Sequence, residues 1–301
     1  MSAPGRAAPF DLTLGADGGD CGGEVTTRGG QAFLALDDGT LLSLAPLTVT
    51  LAGSPVAYHP RNAAGGALLA RCNAGEMTLP NGVRFEGGAN ETACNRFERQ
   101  VLAIEEAGWR SGEAGAVRWH EIEAQGSARV NGVNVPRAEP ILQGADDPAP
   151  GFYVSRTALR DDEGWPYLDA GTTRYAGVRR DQGVPLGTYG VALRVRGCPP
   201  GRACDPVPFI VGDFAPRAGT GSVALARAVS GLPEAAATSA NRYRGQVQGQ
   251  DVLTVFFGGD VDQGPYEADR IVETAKAAFE AWGGEDRLRR CRRVYVPEAD
   301  G

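Results

Sequence analysis

Phe209-Ile-Val-Gly-Asp213-Phe-Ala-Pro-Arg-Ala-Gly219-Thr220-Gly-Ser222-Val-Ala-Leu-Ala226 decides how the rest of the chain is read. An apolar run, Phe209 to Val211, has the composition of a buried strand. It leads to Gly212 and a single carboxylate, Asp213. Pro216, Gly219 and Gly221 mark a turn-rich segment. Ser222 is a good N-cap for a small-residue helix over 222–230. Strand, acid, glycine-rich loop and capped helix together make a rim for a site. A plain strand-to-helix connection has the same pattern, so the chemistry has to be argued from other residues.

Strands flank this stretch. Gly190 to Val195 and Arg174 to Val178 read as strands before it, and Asp251-Val-Leu-Thr-Val-Phe-Phe257 as the most strand-like run after it. Asp269 to Trp282 places Ile271, Val272, Ala275, Phe279 and Trp282 on one helical face, and Gly283-Gly284 stops it. Near the start, Gln31 to Leu44 is a hairpin around Asp37-Asp38-Gly39-Thr40, because Asp-Gly supplies the backbone conformation of a tight turn. Leu47 to Leu51 reads as a further strand and Val56 to Tyr58 as a short one. Phe97, Val101 and Ile104 recur at helical spacing and predict a helix over 92–107. Val117 to Glu123 alternates like a strand. Arg129 to Val135 is a second hairpin around Asn131-Gly132. Gly151 to Leu159 reads as a strand and its continuation.

Forty-three glycines and 20 prolines in 301 residues point to many turns and to a mostly β fold with a few flanking helices. Residues 1–27 read as a loose arm. Residues 28–301 read as a single domain, with an elaboration at about 61–142. The segment Gln143 to Pro150 is punctuation between a loose first half and a more regular second half.

Net charge is −7. This argues against nucleic acid, which rewards clustered positive charge, and suits a cationic polymer. No run reaches the length of apolar residues that a membrane helix needs, and no signal-peptide core is visible at the start. Six cysteines pull toward an extracytoplasmic, oxidising compartment. Cys198 and Cys204 flank a short turn that a disulfide would close, and Cys21, Cys72, Cys94 and Cys291 are available for two more pairs. With no C-x-x-C pair and only His59 and His120 as histidines, no metal or other cofactor is expected.

No Ser-His-Asp triad and no phosphate-binding loop is present. Carboxylate chemistry remains. Asp213 follows an apolar strand, so partial burial is expected to raise its pKa and suit it to acid catalysis. Asp169, Asp181, Asp260 and Asp262 are other loop acids at strand ends, where turn formation is their ordinary role. Tyr153, Trp165 and Tyr167 are either core aromatics or a stacking platform for sugar rings.

Several segments, taken in order, resemble one known family. They are Gln143-Gly-Ala-Asp-Asp-Pro-Ala-Pro-Gly-Phe-Tyr-Val-Ser-Arg-Thr-Ala-Leu159, Tyr167-Leu-Asp169-Ala, Gly187-Thr-Tyr-Gly-Val-Ala-Leu193, Phe209-Ile-Val-Gly-Asp213, Gly219-Thr-Gly-Ser-Val-Ala-Leu-Ala226 and Val252-Leu-Thr-Val-Phe-Phe-Gly258. In that order they are similar to the chitosanases of glycoside hydrolase family 75 and their bacterial relatives. Val56-Ala-Tyr-His-Pro60 resembles an earlier family element. The resemblance implies a barrel-like mixed sheet and hydrolysis of a β-linked amino-sugar polysaccharide. It also implies Asp213 as general acid; Tyr153, Tyr167, Thr220 and Ser222 are read as the residues that bind the sugar.

The family pairs its strand-end Asp with a Glu in a Gly-Glu-x-Ser-Val/Ile segment. Here that position is Thr220. Inversion needs an acid and a water-activating base, and threonine is a poor base at neutral pH. Three outcomes are open. The chain is a catalytically impaired relative serving as a carbohydrate-binding or protein-interaction module. Or another acid, such as Asp169 or Asp260, supplies the base. Or Asp213 works alone in a lytic cleavage that uses the substrate's own hydroxyl.

Overall fold

The computed structural model of the chain describes residues 21–162, 164–196, 204–259 and 261–295. The first elements are β1 (Glu24–Arg28), β2 (Gln31–Ala35) and β3 (Leu41–Thr50), followed by β4 (Gly75–Thr78), β5 (Arg84–Glu86) and α1 (Glu91–Glu106). Then come β6 (Ala116–Trp119), β7 (Ala124–Val130), β8 (Val133–Pro140), β9 (Tyr175–Val178), β10 (Tyr189–Arg194) and β11 (Val207–Phe214). The chain continues through β12 (Thr220–Ser222), α2 (Val223–Val229), β13 (Val247–Phe256), α3 (Ala268–Trp282) and α4 (Gly284–Tyr295).

Six strands close into a barrel in the order β3-β12-β9-β11-β10-β13, with β13 pairing back onto β3. Two neighbouring pairs are parallel, β12 with β3 and β11 with β9. The expected mostly β, barrel-like mixed sheet with flanking helices is what the chain forms. Closure removes the open edges that an unfinished sheet would expose.

Alternation along the strands sorts the side chains. Leu47 and Val49 of β3, Phe209 and Val211 of β11 and Phe256 of β13 belong to one buried cluster, which Phe33 and Leu225 join. Leu42 and Leu44 point the other way and meet Phe279 and Trp282 of α3. Ile271 and Ala275, also on α3, pack against Ile210 and Tyr175. Helices therefore cover one outer side of the barrel. On another side, α1 packs Phe97, Val101 and Ile104 with Met77 of β4 and Val117 and Trp119 of β6.

Several sequence readings needed revision. The two expected strands 41–44 and 47–51 are one strand, β3. Val56 to Tyr58 is not a strand; its carbonyls accept from the Leu68 and Leu69 N–H groups of a neighbouring loop instead of a sheet edge. Gly151 to Leu159 is irregular and touches other chain segments through single bridges at Tyr153 and Ser155. The supposed loose arm includes β1, paired with β2 over its whole length; residues 1–20 lie outside the described part. Gly283, in the left-handed region at φ 119°, ends α3 as expected, but α4 starts at once. Its apolar signal is thin, and its early acids and later arginines suit the helix dipole instead.

Two disulfides are present among the described residues. Cys21–Cys291 ties the chain before β1 to α4, and Cys72–Cys94 ties the turn before β4 to α1. The expected Cys198–Cys204 bridge involves Cys198, which is outside the described residues. No helix among the described residues is long and apolar enough to cross a membrane.

Candidate active site

Asp213 reaches the surface because of a bulge. In the β11–β9 pairing, Val211 is registered with Ala176, but Asp213, two residues on, is registered with Gly177. Gly212 is the extra residue. In a regular, unbulged strand Asp213 would lie on the same face as Val211, in the barrel core; the bulge turns it outward. Gly177 is also the partner of Thr220 on its other side. Asp213 and Thr220 therefore flank Gly177 on one outer face, about 10 Å apart at two strand spacings. A Cβ on Gly177 would lie 3.0 Å from Ala215 Cβ and 3.5 Å from the Thr220 side chain, so a bare backbone separates the two positions.

This outer face is one wall of a cleft of ≈ 1210 Å³. Another part of its lining comes from the segment after β6. There Ile122 is fully buried, while Glu121 and Glu123 on either side of it line the cleft. Alternation within a short extended run produces this pattern. The run is zipped to the chain leading toward Asp213: Glu123 N–H donates to Val154 C=O at 2.8 Å and Arg156 N–H to Glu121 C=O at 3.0 Å. The same crossing carries on to β11, where Leu159 N–H donates to Gly212 C=O at 2.9 Å.

Asp213 Oδ1 accepts from Phe214 N–H at 2.8 Å and Ala158 N–H at 2.9 Å. Oδ2 has no partner among the described residues. Burial raises the Asp213 pKa to about 7, against the pull of these two N–H groups; the Glu121 charge raises it further and Arg156 lowers it. A proton on Asp213 therefore sits on Oδ2, at the cleft side.

Glu121 has its own support. Tyr58, fully buried, donates its hydroxyl to Glu121 Oε2 at 2.5 Å. Burial raises the Glu121 pKa, and the Tyr58 hydrogen bond and His120 oppose that rise. Glu123 is occupied: it accepts from Tyr167 at 3.3 Å and pairs with Arg156 at 3.7 Å. Arg156 is fixed by donating its Nε and one Nη to His120 C=O at 3.0 and 2.8 Å.

The sequence-predicted residues separate into two groups. Asp213, Thr220 and Tyr167 all line the cleft. Thr220 donates its hydroxyl to Arg217 C=O at 3.0 Å. Tyr153 instead lies in the core against Trp119, 2% exposed, with ring centroids 6.0 Å apart. Ser222 is fully buried and caps α2 by accepting from Leu225 N–H, while also accepting from Tyr175 N–H. Asp169 is not on the cleft lining; it accepts from Gly171 N–H and Thr172 and builds its own turn. Asp181 pairs with Arg179, and Asp262 holds Arg270 through both oxygens. Asp260 lies outside the described residues.

Glu121 was within a run already read as alternating, Val117 to Glu123. Nothing local marked it as a partner for Asp213, because the two meet only through the tertiary crossing at 154–159. At the lip of the cleft, ligand atoms of Glu76, Glu86 and His120 lie within 4.8 Å of one another, a grouping able to hold a cation. No protein-family model matches this chain, and no curated protein matches it either.

Proposed function

We propose that the protein is a chitosanase-like glycoside hydrolase acting on a β-linked amino-sugar polysaccharide, with Asp213 as general acid and Glu121 as general base. The observation that carries this reading is that two carboxylates from distant parts of the chain line one open cleft and the charge of one is felt by the other. Asp213, half protonated near neutral pH, donates its Oδ2 proton to the glycosidic oxygen as the C1–O bond breaks. Glu121 takes a proton from a water as that water's oxygen bonds C1. The products are an alcohol and a sugar with inverted configuration at C1. Tyr58 orients Glu121 by donating its hydroxyl, which favours the ionised form against the burial that raises its pKa.

The ordered family segments support the same reading, and Glu121 fills the role left vacant at Thr220. That vacancy equally favours a second reading, a catalytically impaired module that binds carbohydrate or protein. One assay decides between them. Purified protein and Asp213→Asn are incubated with chitosan, chitin oligomers and peptidoglycan, and new reducing and anhydro ends are counted. Release by the wild type and loss in the variant supports the hydrolase. No release from any of these polymers removes it, and anhydro ends in place of reducing ends would assign a lytic reaction instead.

A further inference from the structure

The cleft is charged differently from the chain as a whole. Five arginines line it, Arg137, Arg156, Arg160, Arg180 and Arg217, against four carboxylates, Glu86, Glu121, Glu123 and Asp213. Only Arg156 pairs with one of those carboxylates, Glu123; no described carboxylate pairs with the other four arginines. Arg180 is held over the Phe214 ring at 3.7 Å, beside Asp213. Arg137 and Arg156 are near enough for each to feel the other's charge. One of the four carboxylates, Asp213, has its pKa raised to about 7, which removes part of its negative charge near neutral pH. A chain of net charge −7 thus carries a cationic cleft.

Arg137 adds a second, independent sign. In the β7–β8 pairing, Gln125 faces Glu139 and Ser127 faces Pro136, so β8 carries one extra residue there. Arg137 sits in that bulge with φ 56°, a left-handed backbone that glycine adopts without strain. An arginine held there, unpaired and facing the cleft, is costly for the fold. Strain of this kind persists where it is part of function.

We infer that the cleft binds a glycan carrying carboxylates, an acidic amino-sugar polymer and not the free-amine polymer. The guanidinium fork matches a carboxylate through two parallel hydrogen bonds, whereas a polymer of ammonium groups would meet four like charges that have no carboxylate partner among the described residues. A polynucleotide would satisfy the same charges. The sugar is favoured because two carboxylates in the same lining are suited to acetal cleavage, a bond that a polynucleotide backbone does not offer. This inference rests on the hydrolase reading only for its choice of glycan.

The test uses binding, so that it stands apart from cleavage. The Asp213→Asn protein is titrated against fluorescent oligomers of equal length. These are alternating glucuronate and N-acetylglucosamine (a hyaluronan fragment), chitin, chitosan, dextran sulfate and single-stranded DNA. The hyaluronan fragment is expected to bind at least about tenfold tighter than the chitin oligomer, with chitosan weakest and with affinity falling as salt rises. Arg137→Gly in the same background is expected to lose about tenfold in affinity while melting no lower, since glycine relieves the backbone; Arg160→Gln is a second reporter. Chitosan binding as tightly as the acidic glycan, no binding to any oligomer, or affinity unmoved in both arginine variants overturns the inference. DNA or dextran sulfate binding as tightly as the hyaluronan fragment also overturns it, by showing a site for any polyanion. A protein that binds the acidic glycan but cleaves no polymer keeps this inference and loses the hydrolase; cleavage of chitosan alone does the reverse.

Discussion

On the barrel wall of the cleft, Asp213 is held by the backbone: a one-residue bulge aims it, and two N–H groups fix one of its oxygens. On the wall built by the segment after β6, Glu121 is held by side chains: the Tyr58 hydroxyl fixes it, and Ile122 anchors its run in the core. The barrel wall is part of a closed hydrogen-bonded sheet. The other wall belongs to small sheets and a helix cross-linked by Cys72–Cys94. A site of this kind has one fixed partner and one whose position depends on how a separate layer packs. The acid should therefore survive changes that displace the base.

The largest expected effect removes the base. Glu121→Gln should lower kcat by about 10³-fold with KM nearly unchanged, in the range usual for a general acid or base. Steady-state kinetics on whichever polymer the wild type cleaves will show it. Tyr58→Phe should give a smaller loss and shift the acid limb of the pH–rate profile. Equal losses in both walls' neighbours, Tyr58 and Thr220, would blur the contrast between them.

Next in size is the stability effect of Asp213. Its folded pKa is raised, so the folded state holds that proton more tightly than the unfolded chain. The stabilisation is complete below pH 4, where both states are protonated. It is lost as pH rises toward and through about 7. Asp213→Asn, which keeps the acceptor for both N–H groups, should match wild type near pH 4 and be roughly 4 kcal/mol more stable at pH 8. Thermal melts across that window will test the sign. A variant less stable at pH 8 would mean the carboxylate is better solvated than its burial implies.

Smaller again is the effect of the cross-link. Opening Cys72–Cys94, which spans 22 residues, should cost about 3 kcal/mol of stability by loop entropy. Cys72→Ala/Cys94→Ala measured by denaturant unfolding should show this loss. In the same variant activity should fall while Asp213 keeps the part of its raised pKa that burial causes and loses only the part due to Glu121.

The smallest effect is at the position the family resemblance marked. Thr220→Glu places a carboxylate across Gly177 from Asp213, about 10 Å away at the backbone. It should raise the Asp213 pKa by less than about one unit, since water in the cleft screens the pair.

Much of the barrel was legible because its strands announce themselves locally. Phe209 to Val211, Gly190 to Val195 and Asp251 to Phe257 are apolar runs bounded by turns, and helices α1 to α3 carry clear periodicity. Asp213 was legible for the same reason, as a lone acid after a buried run. The bulge was not, since Gly212 reads equally well as the end of a strand. The second wall escaped because its strands are short and polar on one side, such as Arg84–Glu86, and Gly-rich turns hide their pairing. Tyr153, from the aromatic pattern, and Ser222, from the loop-and-cap pattern, looked functional, and the structure places one in the core and the other at a helix cap. Burial cannot be read from residue type alone. The cationic cleft was hidden in the net charge, because Arg137, Arg156 and Arg180 are scattered along the chain and meet only in the fold.

The claim on which the rest depends is that Asp213 and Glu121 share one electrostatic site. Carboxyl-carbon NMR, with Asp213 labelled, titrates that group directly in wild type and in Glu121→Gln. The account predicts a wild-type pKa of about 7 that falls when the Glu121 charge is removed. A wild-type value near 4, or one unmoved by the substitution, would contradict it.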